Sequence, residues 1–390
     1  MNHAIEVHAR ADLPLGVSTE RFLADYWQQR PLLVRRAIAD FVAPIDGDDL
    51  AGVAGEPEAL ARLVEYTKRG DRWQVREGPF SAADFARLPA RDWTLLVQDC
   101  DKWFDSVRAV LDRFAFIPAW RVDDVMVSFA APGGSVGAHV DHYDVFLLQG
   151  AGQRRWQIST DPHAAKEMRV DAPLKLLREF RPTHDWVLEP GDLLYLPPGV
   201  PHFGLALDAC LTFSIGMRAP SWAELAWEYV DACVESLPDE ERLIDAAVAP
   251  PKLRHELGLA DIERARTGIA RALAMPPDAF ADWLGGFFSR YRNPLQAPTG
   301  SGKTPRAGQF DRALAAGHAL VRNPWSRLVL LPGARGAVAW INGERYPLSR
   351  KLALRLDADL PIDAAWVGRL SATDRATLAT LHARGHLRRA

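Results

Sequence analysis

The sequence predicts an α+β protein in which helical segments flank a central antiparallel β-sandwich or barrel. Between about residues 120 and 220, short segments rich in β-branched, aromatic and aliphatic residues alternate with Gly/Pro turns, a pattern typical of antiparallel sheets. Before and after this stretch, apolar residues recur at helical spacing. The chain has 390 residues, of which 48% are apolar and 25% charged. It is long enough for two or three domains, and its composition excludes a disordered or fibrous protein.

A short helix and a strand are the first elements that we expect. Aromatic residues recur at helical spacing after Ser18 or Thr19, either of which could cap the helix, and Pro31 ends it. The apolar residues 32–34 then predict a strand. From about residue 40 to 115 helical patterns predominate. We expect helices there at 60–67 and 103–116.

The central region contains six candidate strands. Glycine and proline separate them, for example at 132–134, 150–152 and 197–199, which indicates tight turns between short antiparallel strands. The predicted strands are 122–129, 143–149, 154–159, 186–188, 193–196 and 211–215.

The region after Pro220 returns to helical patterns up to about residue 292, and a Pro/Gly/Ser-rich linker is predicted at 293–308. A small α+β module follows. It is predicted to contain a helix at 309–320, strands at 328–331 and 337–341, a turn at Asn342-Gly343 and a helix at 374–382. The domains that we expect are therefore 1–219, 220–300 and 301–390.

Charge is divided unevenly along the chain. Residues 301–390 carry a net charge of +9 and residues 1–300 a net charge of −12. The acidic part could attract basic ligands and the basic part could contact nucleic acid, although solvated surface explains both equally well. Three cysteines without CxxC spacing, and no long apolar run or signal peptide, lead us to expect a cytoplasmic protein that does not enter a membrane.

A candidate metal site lies between residues 133 and 202. In His139-Val140-Asp141 the imidazole and the carboxylate are two residues apart, so on a strand they share a face. A distant histidine would complete the facial triad of non-haem Fe(II) oxygenases, and His202 follows a strand and a Pro-Pro-Gly turn. Because His142-Tyr143-Asp144 overlaps the first pair and lies on the opposite strand face, only one pair can serve this metal. Arg154 is a candidate cation for the far carboxylate of a co-substrate.

These residues carry a resemblance to a known family. Together with the Pro-Pro-Gly-x-Pro-His ending at His202, the run from Pro132 to Trp156 resembles the JmjC-type 2-oxoglutarate oxygenases, and more narrowly the bacterial ribosomal oxygenases. The resemblance implies a double-stranded β-helix (cupin/JmjC) barrel with helical flanks, a helical dimerisation region and a C-terminal winged-helix-like module.

The resemblance also assigns roles to residues. It makes His139, Asp141 and His202 the Fe(II) ligands and catalytic residues. It makes Arg154 the partner of the distal carboxylate of 2-oxoglutarate, with Ser128 as a second candidate. For the substrate pocket it indicates four residues, Asp124, Met126, Tyr143 and Ser214. A carboxylate and hydroxyls can accept the hydrogen bonds of a guanidinium, and Met126 and the Tyr143 ring suit its aliphatic stem.

The implied activity is that of an Fe(II)- and 2-oxoglutarate-dependent dioxygenase that uses O2 to hydroxylate C3 of an arginine in a basic large-subunit ribosomal protein. The resemblance further implies a homodimer formed through helices between residues 220 and 292. Two alternatives remain open from the residues. One is hydroxylation of a histidine or another residue of a basic protein. The other is a non-catalytic nucleic-acid-binding regulator, in which the C-terminal module makes a weak RNA contact.

Overall fold

The computed structural model describes residues 5–244, 253–291, 309–333 and 336–390, so the linker predicted at 293–308 lies outside the described residues. The chain divides into two compact units, Met1–Ala219 and Pro220–Ala390, and each is described here by itself. Among the described residues, no helix combines the length and the apolar character that crossing a bilayer requires.

The first unit contains strands and short helices that build one barrel with its flanking layer. Its strands are β1 (Glu6–His8), β2 (Leu32–Arg35), β3 (Ala61–Thr67), β4 (Arg72–Glu77), β5 (Trp93–Val97), β6 (Val122–Ala130), β7 (Val145–Ala151), β8 (Arg154–Ile158), β9 (His184–Leu188), β10 (Leu193–Leu196), β11 (His202–Ala206) and β12 (Cys210–Met217). Its α-helices are α1 (Thr19–Asp25), α2 (Gly47–Val53), α3 (Ala82–Ala86), α4 (Cys100–Trp103) and α5 (Asp105–Arg108). Two 3₁₀ turns follow α5, at Ala109–Phe114 and Ala119–Arg121.

Two sheets form the barrel. The large sheet has the order β1-β2-β10-β7-β12-β6-β5-β3-β4 and the small sheet the order β11-β8-β9. β1 pairs with β2 in parallel, and the other ladders are antiparallel. From β6 onward the chain crosses repeatedly between the two sheets, since β6, β7, β10 and β12 lie in the large sheet and β8, β9 and β11 in the small sheet. Such crossing is typical of a double-stranded β-helix. Apolar side chains of both sheets form one shared core between them. Its members include Leu147, Leu194 and Leu196 of the large sheet and Trp156, Ile158 and Leu188 of the small sheet.

The opposite face of the large sheet is covered by the N-terminal helices. Phe22 of α1 packs against Phe146 of β7 and Tyr195 of β10, with ring centroids 5.7 and 5.0 Å apart. Ser18 caps α1, accepting a hydrogen bond from the Arg21 backbone N–H at 3.2 Å, as the sequence predicts. The large sheet is therefore covered on one face by the N-terminal helices and on the other by the small sheet.

The six strands predicted between 122 and 215 are confirmed, with ends that differ by a few residues. The helix predicted at 60–67 is wrong, because this segment is β3, which pairs with β4 and β5 and extends the large sheet. The helix predicted at 103–116 is divided among α4, α5 and a 3₁₀ turn. Residues 139–141 do not form a regular strand: His139 makes an isolated bridge to His202.

The second unit contains three long helices and a small α+β module with its own core. The helices are α6 (Trp222–Glu235), α7 (Leu259–Ala272), α8 (Pro277–Ser289), α9 (Gln309–Ala315), α10 (Arg350–Asp357), α11 (Ala364–Val367) and α12 (Ala372–Ala383). The strands are β13 (Leu320–Arg322), β14 (Leu328–Pro332), β15 (Gly336–Ile341), β16 (Glu344–Ser349) and β17 (Leu387–Arg389). The turn predicted at Asn342-Gly343 is confirmed: both residues have positive φ, 48° and 86°, and they join β15 to β16 as a tight hairpin. The helix predicted at 309–320 ends at Ala315, and Leu320 begins β13.

Candidate active site

The three predicted metal ligands meet at one point of the barrel. His139 and His202 lie opposite each other and exchange two backbone hydrogen bonds of 3.0 Å. The Gly199 backbone N–H donates to the Asp141 carbonyl at 2.8 Å, which ties the aspartate to the turn that precedes His202. Asp141 Oδ2 lies 3.8 Å from His139 Nε2 and 3.6 Å from His202 Nε2. All three ligand atoms lie within 4.8 Å of one another, so a single ion could contact them all.

The ring orientation of both histidines suits a metal. His139 Nδ1 lies 3.0 Å from the Gly137 carbonyl, and His202 Nδ1 lies 3.0 Å from the Val200 carbonyl. Since a carbonyl accepts, Nδ1 must carry the proton, and the lone pair of each ring is then on Nε2, toward Asp141. Burial and the neighbouring His139 lower the pKa of His202 to about 4, so this ring is neutral near pH 7. Two neutral imidazoles and a carboxylate are the donor set of a non-haem Fe(II) site.

Arg154 is a buried cation that pairs with no carboxylate among the residues that the structure describes. It is 2% exposed, and its Nη2 donates to the Gly204 carbonyl at 3.4 Å. Among the described residues, Nε and Nη1 of Arg154 have no hydrogen-bond partner. Burial lowers the pKa of Arg154, because the charged form loses its hydration. An unpaired buried guanidinium is costly, so the site fits a ligand that brings a carboxylate.

Gly204 makes room for this guanidinium. A Cβ at Gly204 would lie 2.7 Å from Arg154 Nε and 2.8 Å from the Trp156 ring, closer than such atoms approach. The Arg154 guanidinium also lies over the Trp156 ring, 5.1 Å from its centroid, where a cation is attracted to the π-system. The glycine, the ring and the arginine thus form one cradle.

Four of the other predicted site residues lie on the inner face of the large sheet. Asp124, Met126 and Ser128 alternate along β6, and Ser214 pairs with Met126 across β12. The intervening residues Val125 and Val127 belong to the core on the outer side of the sheet, so strand alternation turns the other set inward. These side chains therefore point into the interior of the barrel, toward the metal ligands and Arg154.

The register separates Ser128 from Asp124. Ser128 is two residues from Ala130, which pairs with Cys210, and Cys210 lies beside the Arg154 guanidinium. Asp124 is four residues away along β6, about 13 Å at the usual rise of a strand. Ser128 is therefore at the end of the barrel that holds Arg154, and Asp124 is toward the opposite end.

Tyr143 lies outside the strands. It follows Asp141 by two residues in the segment that leads into β7, and it is 41% exposed. The sequence predicted strand geometry at this position, but β7 begins at Val145. A half-exposed aromatic ring beside the ligand segment is placed to contact a substrate that approaches from solvent.

Sequence reasoning missed the function of Asp144. Its side chain is fully buried and accepts hydrogen bonds from the Tyr195 hydroxyl at 2.6 Å and from Gln28 Nε2 at 3.0 Å. Arg121 Nη2 lies 3.4 Å from the same carboxylate. Asp144 of the second His-x-Asp pair therefore anchors the segment that carries Asp141 to the residues after α1, to the 3₁₀ turn before β6 and to β10. The overlapping motif was the signal that could have identified it.

We expect Asp144→Ala to lower the free energy of unfolding by about 3–5 kcal/mol, because it leaves a buried guanidinium and a buried hydroxyl without their acceptor. Chemical denaturation of the whole chain measures the loss. Asp144→Asn, which retains one acceptor oxygen, should lose less. Equal stability of Asp144→Ala and the wild-type protein would contradict this anchoring role.

Each of the two units contains a match to a known protein family. Residues 109–225 match the JmjC domain family model, and residues 269–388 match the ROXA-like winged helix model. The winged-helix match begins inside α7, earlier than the boundary at 301 that we expected.

Relatives match along most of the chain. The chain is 35% identical to the ribosomal protein uL16 3-hydroxylase of Escherichia coli over 334 residues, 85% of this chain and 86% of that protein. It is 41% identical to a probable ribosomal oxygenase of Haemophilus influenzae over 214 residues, 55% of this chain and 52% of that protein.

Solved structures match along almost the whole chain. The X-ray structure of E. coli YcfD covers 96% of this chain and 99% of that chain, with 33% identity and a TM-score of 0.84. A structure of YcfD, a ribosomal oxygenase from E. coli, in complex with cobalt and 2-oxoglutarate has a TM-score of 0.79 with the same identity and coverage. The predicted JmjC barrel, the C-terminal winged helix and the predicted family are confirmed. The chain belongs to the JmjC ribosomal oxygenases, dioxygenases that use Fe(II) and 2-oxoglutarate, and it carries their C-terminal winged helix.

Proposed function

We propose that this chain hydroxylates C3 of an arginine side chain in the large-subunit ribosomal protein uL16. The observation that supports this most is the cluster of His139, Asp141 and His202 in a chain 35% identical to a uL16 3-hydroxylase. A net charge of −12 over residues 1–300 suits a basic ribosomal protein as substrate. Such a substrate also agrees with the cytoplasmic location expected from the sequence.

The roles that we propose follow from the positions of the side chains. His139, Asp141 and His202 would hold Fe(II), and Arg154 would bind the distal carboxylate of 2-oxoglutarate, with Ser128 on the same part of the inner face. With O2 as the oxidant, the metal and 2-oxoglutarate would convert a C–H bond into C–OH: one oxygen atom of O2 would enter the hydroxyl group and the other would enter succinate, as 2-oxoglutarate loses carbon dioxide.

The substrate side chain is positioned by a second set of residues. We infer that Asp124 and Ser214 accept hydrogen bonds from the guanidinium, while Met126 and the Tyr143 ring contact its aliphatic stem. Asp124 and Ser214 are buried on the inner face, and Tyr143 is at the exposed side. Such an arrangement presents one carbon of a long cationic side chain to the metal and excludes shorter side chains from it.

The experiment uses the purified protein, Fe(II), ascorbate, 2-oxoglutarate and an arginine-containing peptide of uL16 from the same organism. We expect the peptide to stimulate succinate formation and to gain the mass of one oxygen atom on the arginine, and His139→Ala to lose both. Turnover with the oxygen on a histidine, or with no peptide modification, would contradict the proposed substrate. A protein that neither turns over 2-oxoglutarate nor binds metal would favour the non-catalytic regulator.

We also infer that the chain is a homodimer through α6 and α7. Trp227, Val230 and Val234 recur at helical spacing on α6, and Trp227 is 78% exposed. Leu259 and Ile269 are exposed on one face of α7. An exposed apolar surface of this extent on two helices of one unit indicates a protein interface. A second copy of this chain, which carries the same surface, could cover it.

We expect the double variant Trp227→Ser/Ile269→Ser to have half the mass of the wild-type protein in multi-angle light scattering. The matched control is Val170→Ser, since Val170 is a fully exposed apolar residue that belongs to the first unit and to neither helix. A wild-type protein that is monomeric at micromolar concentration would contradict the dimer.

We infer a weak RNA contact through the basic C-terminal module. The Ser349 backbone N–H donates to the Asp374 carboxylate at 3.2 Å, and Lys351 Nζ donates to the Arg369 carbonyl at 3.0 Å. These bonds bring the starts of α10 and α12 and the end of α11 together. The exposed cations around this junction are Arg350, Lys351, Arg369 and Arg375. Phosphate groups would be their natural ligands.

We expect Arg350→Ser/Arg375→Ser to weaken binding of a ribosomal RNA fragment and to lower the slope of log K against log salt by about one to two. Fluorescence anisotropy at several salt concentrations measures this slope. An unchanged slope would contradict a phosphate contact at this junction.

A further inference from the structure

A lysine and two aspartates are buried together behind the substrate residue Asp124. Lys102 belongs to α4, which begins one residue after Asp99, and its side chain is 3% exposed. Asp99 and Asp101 are also buried. Charged side chains are almost never fully buried unless they are paired. The burial of three of them in one place therefore indicates a specific role in the structure.

The group holds the backbone of β6 on both sides of Asp124. Lys102 Nζ donates to the Asp123 carbonyl at 3.2 Å, and the Val125 backbone N–H donates to Asp101 Oδ1 at 2.8 Å. The Asp99 backbone N–H donates to Asp124 Oδ2 at 3.1 Å. The pairing of β5 with β6 ends at Val97 and Val127. Beyond that point the three charged residues therefore take the place of a neighbouring strand.

The position of Asp124 relates this group to the substrate. Asp124 pairs with Gly216 on β12, and Gly216 in turn pairs with Val145, the first residue of β7. This is the end of the inner face that the chain reaches directly after Asp141 and Tyr143. Gly216 lies beside this carboxylate: a Cβ at Gly216 would be 3.4 Å from Asp124 Oδ1.

Lys102 is the cation at the centre of this group. Three carboxylates surround Lys102, which forms ion pairs with Asp99 and, at 3.5 Å, with Asp101. Burial acts to lower the pKa of Lys102, but the negative charges of Asp101 and Asp99 act in the opposite direction, and the pKa of the lysine is raised. Burial raises the pKa of Asp124 to about 7, although Lys102 acts in the opposite direction. The titratable groups that face Asp124 are Asp99, Cys100, Asp101 and Lys102 from the neighbouring segment and Asp123 from its own strand.

We propose that Lys102, Asp99 and Asp101 form a buried positioning network, which aims Asp124 at the substrate and makes its pocket selective for a cationic side chain. The proposal rests on the proposed function, since it takes an arginine as the side chain that enters. The guanidinium of the arginine would then lie against the Asp124 carboxylate that this network holds in place. Lys102 and Asp99 do not touch the substrate; they act on it through the orientation and the charge of Asp124.

The test is the pH dependence of the KM for the uL16 arginine peptide in two variants that change the network charge in opposite directions. Lys102→Met removes the cation, so Asp124 takes up a proton more readily. The midpoint of the KM profile should then move to higher pH, and the KM at pH 6 should rise about tenfold for each pKa unit. Asp99→Asn removes a negative charge and should move the midpoint to lower pH. Asparagine tolerates the left-handed backbone of Asp99, whose φ is 60°.

The control variant is Asp112→Asn, an exposed carboxylate on the following 3₁₀ turn, which should keep the wild-type midpoint. Opposite shifts in the two network variants support the proposal, because a purely structural defect would lower stability or kcat without reversing the direction of the shift. If Lys102→Met does not fold, the acidic shift of Asp99→Asn decides alone. Wild-type midpoints in both network variants would overturn the proposal. If the wild-type protein leaves the peptide unmodified, the proposed function fails first, and the two failures are thereby distinguished.

Discussion

Arg154→Met should raise the KM for 2-oxoglutarate by about 100-fold. Arg154 is the buried cation whose Nε and Nη1 have no partner among the described residues, and a desolvated charged pair of this kind is worth about 3 kcal/mol when one partner is removed. Initial-rate measurements of succinate formation over a range of 2-oxoglutarate concentrations give the KM.

Stability should respond differently from affinity in this variant. Methionine replaces an unpaired buried charge with an apolar chain of similar length, so the free energy of unfolding of the protein without 2-oxoglutarate should not decrease. Arg155→Met is the matched control: Arg155 is the next residue of β8 but points outward to Asp185, and its KM should equal that of the wild-type protein. An unchanged KM in Arg154→Met, or the same increase in both variants, would contradict the role proposed for Arg154.

Asp141→Ala should abolish hydroxylation and strongly weaken metal binding. Loss of a residue that only orients a metal ligand already costs roughly 10- to 100-fold in affinity, and loss of the ligand itself should cost more. The carboxylate is the ligand that faces both Nε2 atoms, at 3.8 and 3.6 Å, so without it two imidazoles remain. Calorimetric titration with Co(II) measures the affinity without requiring turnover.

His142→Ala is the control for this measurement. His142 belongs to the overlapping His-x-Asp pair but is exposed and outside the cluster of ligand atoms, so this variant should bind cobalt as the wild-type protein does. Loss of cobalt binding in His142→Ala with retention in Asp141→Ala would show that the wrong pair had been assigned to the metal.

Six strands of the barrel could be predicted because their signal is local, whereas β11 (His202–Ala206) was missed. Each of the six is a short apolar run between glycines and prolines, as at β7 and β10. The strand β3 was missed because the apolar residues of 61–67 fit helical as well as strand spacing. What makes this segment a strand is its pairing with β4 and β5, and one of those partners lies about 30 residues away along the chain.

The site was predictable to the extent that its residues lie close together in sequence or match the family motif. His139 and Asp141 are two residues apart, and the Pro-Gly turn marks His202. The need for Gly204 depends on how β8 and β11 are paired. The burial of Lys102 depends on the tertiary structure around α4. Neither feature leaves a pattern in the sequence, because a lysine between aspartates resembles any solvated surface segment.

The central claim is that this barrel modifies an arginine of uL16, and intact-mass analysis of uL16 from cells tests it most directly. Ribosomes are compared from cells with this chain, cells without it, and cells without it that express either the wild-type chain or Asp141→Ala. We predict that uL16 carries one additional oxygen atom, located on an arginine, only where the wild-type chain is present. The same mass in all four samples, or an oxygen that persists with Asp141→Ala, would contradict the account.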